Sequence, residues 1–171
     1  LTFYGLTLTF ALIDWGMSLE PEWFSSVYGM QWMVDTGLAG LAFSIVIFTI
    51  LSAESPLAEV ARADHLHDLG NLLFAFVMLW AYLAFSQLLI IWSGDIPEEI
   101  HWYLSRMRHG WEWTAATLIS FQFFVPFFLL LSRRNKRDRV RLGYIALLVL
   151  VMRVVDTFWT ITPAFYPDRF A

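Results

Sequence analysis

Cysteine is absent from this chain of 171 residues. Without thiols the chain forms no disulfide, offers no thiolate ligand to an iron–sulfur cluster and carries no CxxCH haem-attachment motif. Charged residues are also scarce, at 15% of the sequence against 58% hydrophobic residues, and the apolar residues come in long runs. This balance excludes an ordinary soluble domain and predicts an all-α fold, a polytopic transmembrane helical bundle.

Histidine is scarce too, and none of the four histidines lies deep within an apolar run. This argues against a bis-histidine b-type haem within this chain, since such a haem would need axial imidazoles at membrane depth. His67 and Asp68 stand together in DHLHDLGN, at the start of a predicted span. Because histidine titrates near neutral pH, they are candidates for a proton entry point. The alternatives are helix capping by Asp64 or Asp68, or a metal site, which would lack distant ligands.

The apolar runs predict a single transmembrane domain with about five spans. The chain opens with Leu inside an apolar run, so the first span, residues 1–13, is expected to be the last part of a truncated helix. The others are residues 30–52, 67–93, 111–132 and 141–161. Pro126 predicts a kink in the fourth span. Residues 94–109 are expected to hold an interfacial helix, in which Pro97 suits the first turn.

The connector 133–141, RRNKRDRVR, holds six Lys and Arg residues in nine positions. Lys and Arg concentrate in cytoplasmic loops, so this connector is predicted to be cytoplasmic. Counting back through the spans puts seven Lys and Arg residues on that side and three on the other.

The last span, LGYIALLVLVMRVVDTFWTI, contains the pair Arg153 and Asp156. Their spacing of three residues places both side chains on one helix face, which Thr157 and Thr160 continue. A charge at membrane depth is costly unless it faces other helices, water or a partner. We therefore expect this face to point into the bundle.

Other spans carry polar residues at similar depth, namely Asp35, Gln87 and Gln122. If the spans bundle, these residues could converge with Arg153 and Asp156 into a polar pocket or a proton path that opens toward the outer face. The alternative is structural: Arg153 would pair with Asp156 or with Asp35, and the glutamines would form interhelical hydrogen bonds.

Three segments of the chain resemble the ActF-like, NrfD-type membrane subunits of bacterial alternative complex III, a quinol:cytochrome c oxidoreductase. They are DWGMSLEPEWFSSVYG at 14–29, HDLGNLLFAFVMLWAYLAFSQLLIIWSGDIPEEIHWY at 67–103, and VMRVVDTFWTITPAF at 151–165. The most specific matches are MSLEP at 17–21 and the run from Ala84 to Glu99. The resemblance covers nearly the whole chain, which would be a C-terminal fragment of such a subunit.

The resemblance implies a multi-pass subunit of the bacterial inner membrane, with lipid and quinol as its small-molecule partners and no nucleic acid. It implies that haem c and iron–sulfur clusters belong to partner subunits, alongside a paralogous NrfD-type subunit, and that this chain binds no redox cofactor. It assigns the quinol site mainly to the paralogous subunit, and for this chain it implies a proton path rather than the main quinol site, with a contribution to a quinol-side pocket as the alternative. The polar positions in the matching segments are His67, Asp68, Gln87, Arg153 and Asp156.

Two other functions compete with this one. A structural membrane scaffold for the redox subunits would need the same buried polar residues only for packing. A secondary transporter would usually show internal repeats or helices broken by Gly or Pro around a midplane site, and only Pro126 fits that pattern.

Overall fold

The computed structural model describes residues 2–52 and 62–166, apart from the side chain of Glu98. Within these residues the fold is all-α. The helices are α1 (Thr2–Trp15), α2 (Tyr28–Leu51), α3 (Ala63–Gly94), α4 (Pro97–Arg106), α5 (Trp111–Leu131), α6 (Arg133–Arg137) and α7 (Arg139–Ile161). Short 3-10 turns occupy Met17–Leu19 and Thr162–Ala164.

Four of these helices, α2, α3, α5 and α7, are long and apolar enough to span a membrane. They match the predicted spans 30–52, 67–93, 111–132 and 141–161. The remaining predicted span, residues 1–13, corresponds to α1. Its 14 residues rise only about 21 Å, which is too short to cross a bilayer. A helix was expected within residues 94–109, and α4 is found there, between the second and third of the long helices, with Pro97 in its first turn; its position at a membrane interface stays a prediction.

Helices α2 and α7 pack side by side along most of their length, α3 packs on α2, and α5 packs on α7. The apolar core between them consists of small and branched side chains that are fully buried: Leu38, Ala42, Ile45, Leu73, Val77, Leu130, Leu142, Ala146 and Val149. Alternate turns of the helices carry exposed Phe, Leu and Ile side chains. Because such a surface is stable only in contact with lipid or other proteins, it agrees with a membrane bundle.

The end of the bundle that carries residues 62–67 and 133–141 is called the basic end below. Arg137 there lies 2.6 Å from Asp64, and Lys136 Nζ donates to Asn71 Oδ1 at 2.7 Å. Asp138 separates α6 from α7 and caps α7, since its carboxylate accepts from the N–H of Arg141. Residues 62–66 and the connector 133–141, which the count of Lys and Arg residues places on the same side of the membrane, thus meet at one end of the bundle, while residues 53–61 of the loop before α3 lie outside the described residues.

The opposite end, called the aromatic end, holds residues 16–27, helix α4 and the C-terminus of α7. Trp102 of α4 stacks on Trp23 with 4.8 Å between ring centroids and meets Trp159 edge-on at 5.7 Å. Tyr28 packs on Trp23 in turn, at 5.2 Å. These rings join three separate segments of the chain into one layer.

Candidate functional site: a buried ion triad at an aromatic pocket

Arg153 is the centre of a buried ion triad. Its guanidinium donates a hydrogen bond to Asp35 Oδ1, and its Nη2 lies 2.7 Å from Asp156 Oδ2. The Arg153 side chain is 6% exposed and each carboxylate is 13% exposed. The two partners that sequence analysis offered to Arg153 as alternatives are thus both bound at once.

The triad follows from the packing of α2 against α7. Asp156 follows Arg153 by three residues, so both lie on the α7 face that meets α2. Asp35 lies in the second turn of α2 and reaches the same level because the two helices run in opposite directions. On the third side stands Trp80 of α3, whose ring centroid is 5.1 Å from Arg153 Cζ.

A pocket of about 570 Å³ lies next to the triad. Asp35, Asp156 and Gln87 contribute polar groups to its wall, and most of the remaining wall is aromatic or aliphatic. Several lining side chains are also exposed on the outer surface of the bundle, between α3 and α5: Met78, Tyr82, Phe85, Ile119 and Phe124. The pocket therefore opens sideways, toward the lipid, as well as reaching the acids.

The α5 wall of the pocket is not a regular α-helix. Residues Leu118–Phe124 form a π-helical segment, in which the N–H of Val125 donates to the carbonyl of Ser120, five residues earlier. Pro126 follows directly and has no N–H to donate to Gln122, so the backbone widens there instead of keeping α-helical hydrogen bonds. The kink predicted at Pro126 is thus realised as a π segment, which supplies Leu118, Ile119, Phe123 and Phe124 to the pocket.

Helix α4 covers the pocket at the aromatic end, where Trp102, Tyr103 and Met107 line it. Arg106 holds this cover in place and is only 1% exposed. Its Nη2 donates to Glu20 Oε1 at 2.6 Å and to the carbonyl of Thr160 at 2.7 Å, and its Nη1 donates to the carbonyl of Trp102 at 3.0 Å. One guanidinium thus joins the loop before α2, helix α4 and the end of α7.

Burial determines the electrostatics of this cover. Burial raises the pKa of the Tyr103 hydroxyl above its usual range, so Tyr103 stays neutral. Burial also lowers the pKa of the Arg106 guanidinium, and the hydrogen bond and charge of Glu20 oppose that shift. Because the usual pKa of arginine is so high, Arg106 stays charged and needs Glu20 as its counter-ion.

The two predicted glutamines have different positions. Gln87 is buried and lines the pocket. Gln122 is fully buried in the π segment but is not part of the pocket wall, and neither end of its amide has a hydrogen-bond partner among the described residues. The expectation of an interhelical hydrogen bond for Gln122 is therefore wrong within residues 2–52 and 62–166.

His67 and Asp68 lie apart from the triad, near the basic end. From His67 to Trp80, helix α3 rises about 20 Å, and the bundle interior over that distance is filled by the buried apolar core. Helix α3 begins at Ala63 rather than at His67, so both residues lie in its second turn. The predicted capping by Asp64 or Asp68 is wrong, because the N-cap residue is Arg62 and no side chain caps it. In the described part of the chain, no cluster of His, Asp and Glu is arranged to hold a metal ion.

Sequence analysis missed two polar residues of the pocket, Gln31 and Trp159. Gln31 precedes Asp35 by four residues on α2, and Trp159 follows Asp156 by three residues on α7. Each therefore lies on the same helix face as the neighbouring aspartate. Arg106 and Glu20 were missed as well. Their contact joins residues 86 apart in the chain, and nothing in the local pattern of either residue indicates it.

The arrangement suits two kinds of chemistry. One arginine between two aspartates carries a formal charge of −1 in a largely buried place, so binding one proton removes an unpaired charge. The pocket next to it suits an aromatic ring, because its wall is mainly apolar and carries few polar groups.

No family model matches the chain, and no curated protein matches it either.

Proposed function

We propose that this chain is an integral membrane subunit of a bacterial quinol:cytochrome c oxidoreductase complex, and that it supplies a quinol-side pocket with an acid pair that accepts protons. The observation that carries the proposal is the position of Asp35 and Asp156 in the wall of an aromatic pocket that opens toward lipid. The resemblance of three segments to NrfD-type, ActF-like subunits supports it from the sequence.

The shape of the pocket favours a ligand that arrives through the bilayer. Its exposed lining residues lie between α3 and α5, on the lipid-facing side of the two spans. A ring with a hydrocarbon tail could enter there with its ring toward the acids and its tail along Tyr82 and Phe85. A water-soluble substrate would have to cross the same apolar surface, which disfavours it.

The charge of the triad favours a ligand that gives up protons. Oxidation of a quinol to a quinone releases two electrons and two protons. In this proposal, a carboxylate of the triad takes the first proton from a quinol hydroxyl, passes it toward the aromatic end, and then takes the second proton. The electrons leave to an iron–sulfur cluster or a c-type haem in a partner subunit of the bacterial inner-membrane complex. Arg153 neutralises whichever aspartate remains charged, so one proton can be held without leaving an unpaired charge.

The proton exchanged by the triad is proposed to leave at the aromatic end. The apolar core lies between the triad and the basic end, and buried aliphatic side chains conduct no protons. His67 and Asp68 are therefore not part of the proposed step. If the connector 133–141 is cytoplasmic, as its basic residues predict, the aromatic end faces the outside of the cell.

The test is Asp156→Asn in the intact complex, with quinol-dependent reduction of cytochrome c and proton release followed together. Because the amide cannot take up the proton, turnover or its proton release should fall by about 100-fold. Asp68→Asn, which changes an exposed acid of the same type at the basic end, is the matched control and should leave both rates unchanged.

A structural scaffold is the competing function, and one observation favours it: the charge of Arg153 is already paired with both aspartates without any ligand. If Asp156→Asn retains both quinol oxidation and proton release, the triad is an ion pair that stabilises the bundle, and the proposed role is wrong.

A further inference from the structure

Three polar atoms in the pocket wall are buried and have no hydrogen-bond partner among residues 2–52 and 62–166: the amide oxygen of Gln31, which is an acceptor, and the indole Nε1 atoms of Trp80 and Trp159, which are donors. Trp80 lies against the ion triad, with its ring centroid 5.1 Å from Arg153 Cζ, so Gln31 and Trp159 are the two that lie toward the aromatic end. A buried polar atom without a partner costs free energy, and most such atoms are paired in folded proteins. A donor and an acceptor left open on the same cavity therefore indicate a ligand that pairs with both.

The two residues lie at matching heights on neighbouring helices. Gln31 is one turn before Asp35 on α2, and Trp159 is just under one turn after Asp156 on α7. Since these helices are antiparallel, both positions are displaced from the acids by about 5 Å in the same direction, toward the aromatic end.

Neighbouring groups hold both side chains in place. The Gln31 side chain lies beside the Asp35 carboxylate; a carboxylate attracts the NH₂ group of an amide and not its oxygen, and Gln31 Oε1 has no partner among the described residues. The Trp159 ring meets Trp102 edge-on at 5.7 Å, and Trp102 is in turn fixed by Arg106, whose Cζ is 3.7 Å from its ring centroid. The donor and the acceptor are thus both oriented before any ligand binds.

We propose that Gln31 and Trp159 together bind one hydroxyl group of a quinol ring, and that this pair makes the pocket selective for the reduced form. This inference rests on the proposed function. A hydroxyl can donate to Gln31 Oε1 and accept from Trp159 Nε1 at the same time. The carbonyl of an oxidised quinone can accept from Trp159 but has no proton to give, so Gln31 stays unpaired. The loss of one hydrogen bond to a buried acceptor corresponds to an affinity about five-fold lower for the quinone.

The experiment uses the complex purified from its native membrane, without an electron acceptor. It is labelled with azido derivatives of a decyl benzoquinone and a decyl naphthoquinone, and the labelled peptides are identified by mass spectrometry. The unlabelled quinol and quinone of the same ring then compete with the label. In the unmodified complex we expect labelling of the pocket segments of α3 and α5, and competition by the quinol at about five-fold lower concentration than by the quinone.

Gln31→Met removes the acceptor at nearly constant volume, so the two competitors should become equal. Gln122→Met is its matched control, because Gln122 is also a buried amide with open atoms but does not line the pocket; it should keep the five-fold ratio. If Gln31→Met fails to assemble, Gln31→Asn replaces it. The shorter side chain moves the amide oxygen away from the ligand by the length of one methylene group, so the two competitors should again become equal.

Trp159→Phe removes the donor that both forms use, so it should weaken both competitors about five-fold and leave their ratio unchanged. Trp23→Phe is the control, since the Trp23 indole nitrogen is also buried without a partner among the described residues, yet Trp23 does not line the pocket.

The outcomes separate the two proposals. Labelling of the pocket together with equal competition by quinol and quinone in the unmodified complex overturns the role of Gln31 and Trp159 and leaves the proposed function standing. An unchanged ratio in both Gln31 variants does the same. If neither azidoquinone labels the pocket segments, the proposed function itself is wrong.

Discussion

Arg106 and Glu20 form an ion pair at 2.6 Å in which the arginine is almost completely buried and the glutamate is 21% exposed. The pair connects helix α4 to the loop before α2, and the same guanidinium donates to the Thr160 carbonyl at 2.7 Å. The cover of the pocket therefore depends on a single side chain that belongs to none of the four spans.

Replacing Arg106 with Leu should destabilise the protein by about 3 kcal/mol or more, because Glu20 is left without its counter-ion and the Thr160 carbonyl without its donor. The measurement is the thermal unfolding midpoint in detergent, with hydrogen exchange of α4 as the local readout. Arg108→Leu, at an exposed neighbouring arginine, should change neither. Equal effects of the two substitutions would contradict the assigned role of Arg106.

In the ion triad, the effect of replacing one member on the free energy of unfolding should depend strongly on whether the other two are present. Arg153→Leu alone leaves two buried carboxylates without a cation and should cost about 3–5 kcal/mol of unfolding free energy. Replacing Asp35, Arg153 and Asp156 together by Leu should recover most of that loss, since no buried charge remains. The check is chemical unfolding of both variants. A triple variant as unstable as Arg153→Leu would mean that the ion pairs themselves hold α2 to α7.

Pro126 is predicted to maintain the pocket at a cost to helix stability. Pro126→Ala restores an N–H in α5, where proline is less favourable than alanine by about 3 kcal/mol in a helix interior. The π segment should shorten, stability should rise, and azidoquinone labelling near Ile119 should fall several-fold. Pro97→Ala is the control, because proline in the first turn of α4 breaks no helical hydrogen bond. Unchanged labelling in Pro126→Ala would show that the pocket does not depend on the π segment.

Gly70, which lies near the basic end, and Gly40, which lies in the middle of α2, give a matched test of packing. A Cβ on Gly70 would lie 2.7 Å from Lys136 Cγ, whereas a Cβ on Gly40 meets nothing within 4 Å. Gly70→Ala should therefore cost about 1–3 kcal/mol through overpacking and displacement of Lys136 from Asn71. Gly40→Ala should be neutral or stabilising by about 1 kcal/mol, since alanine is the better helix former. Thermal unfolding of the two variants in parallel decides whether α3 and α6 approach as closely as described.

Hydropathy was sufficient to predict the four long helices, because a span needs about 20 apolar residues whatever it packs against. Their ends were less predictable. Helix α3 begins at Ala63 rather than at His67; the residues of its first turn lie outside the apolar run, and one of them, Asp64, pairs with Arg137 of another helix. From the sequence, Pro126 predicted that the helix is disturbed at this position, because proline has no N–H to donate. It did not predict that the backbone would form a π-helical segment.

The sequence by itself determined that this is an all-α chain with buried charges that require partners, since neither property depends on how the helices are arranged. Only the tertiary structure shows which residues are the partners of these buried charges. Arg153 pairs with Asp35 across 118 residues of chain, while His67, on one of the same helices as the pocket, lies beyond the apolar core. Helix periodicity assigns each side chain a face and a depth, but the contact between two faces depends on the packing of α2, α3, α5 and α7, which no local pattern encodes.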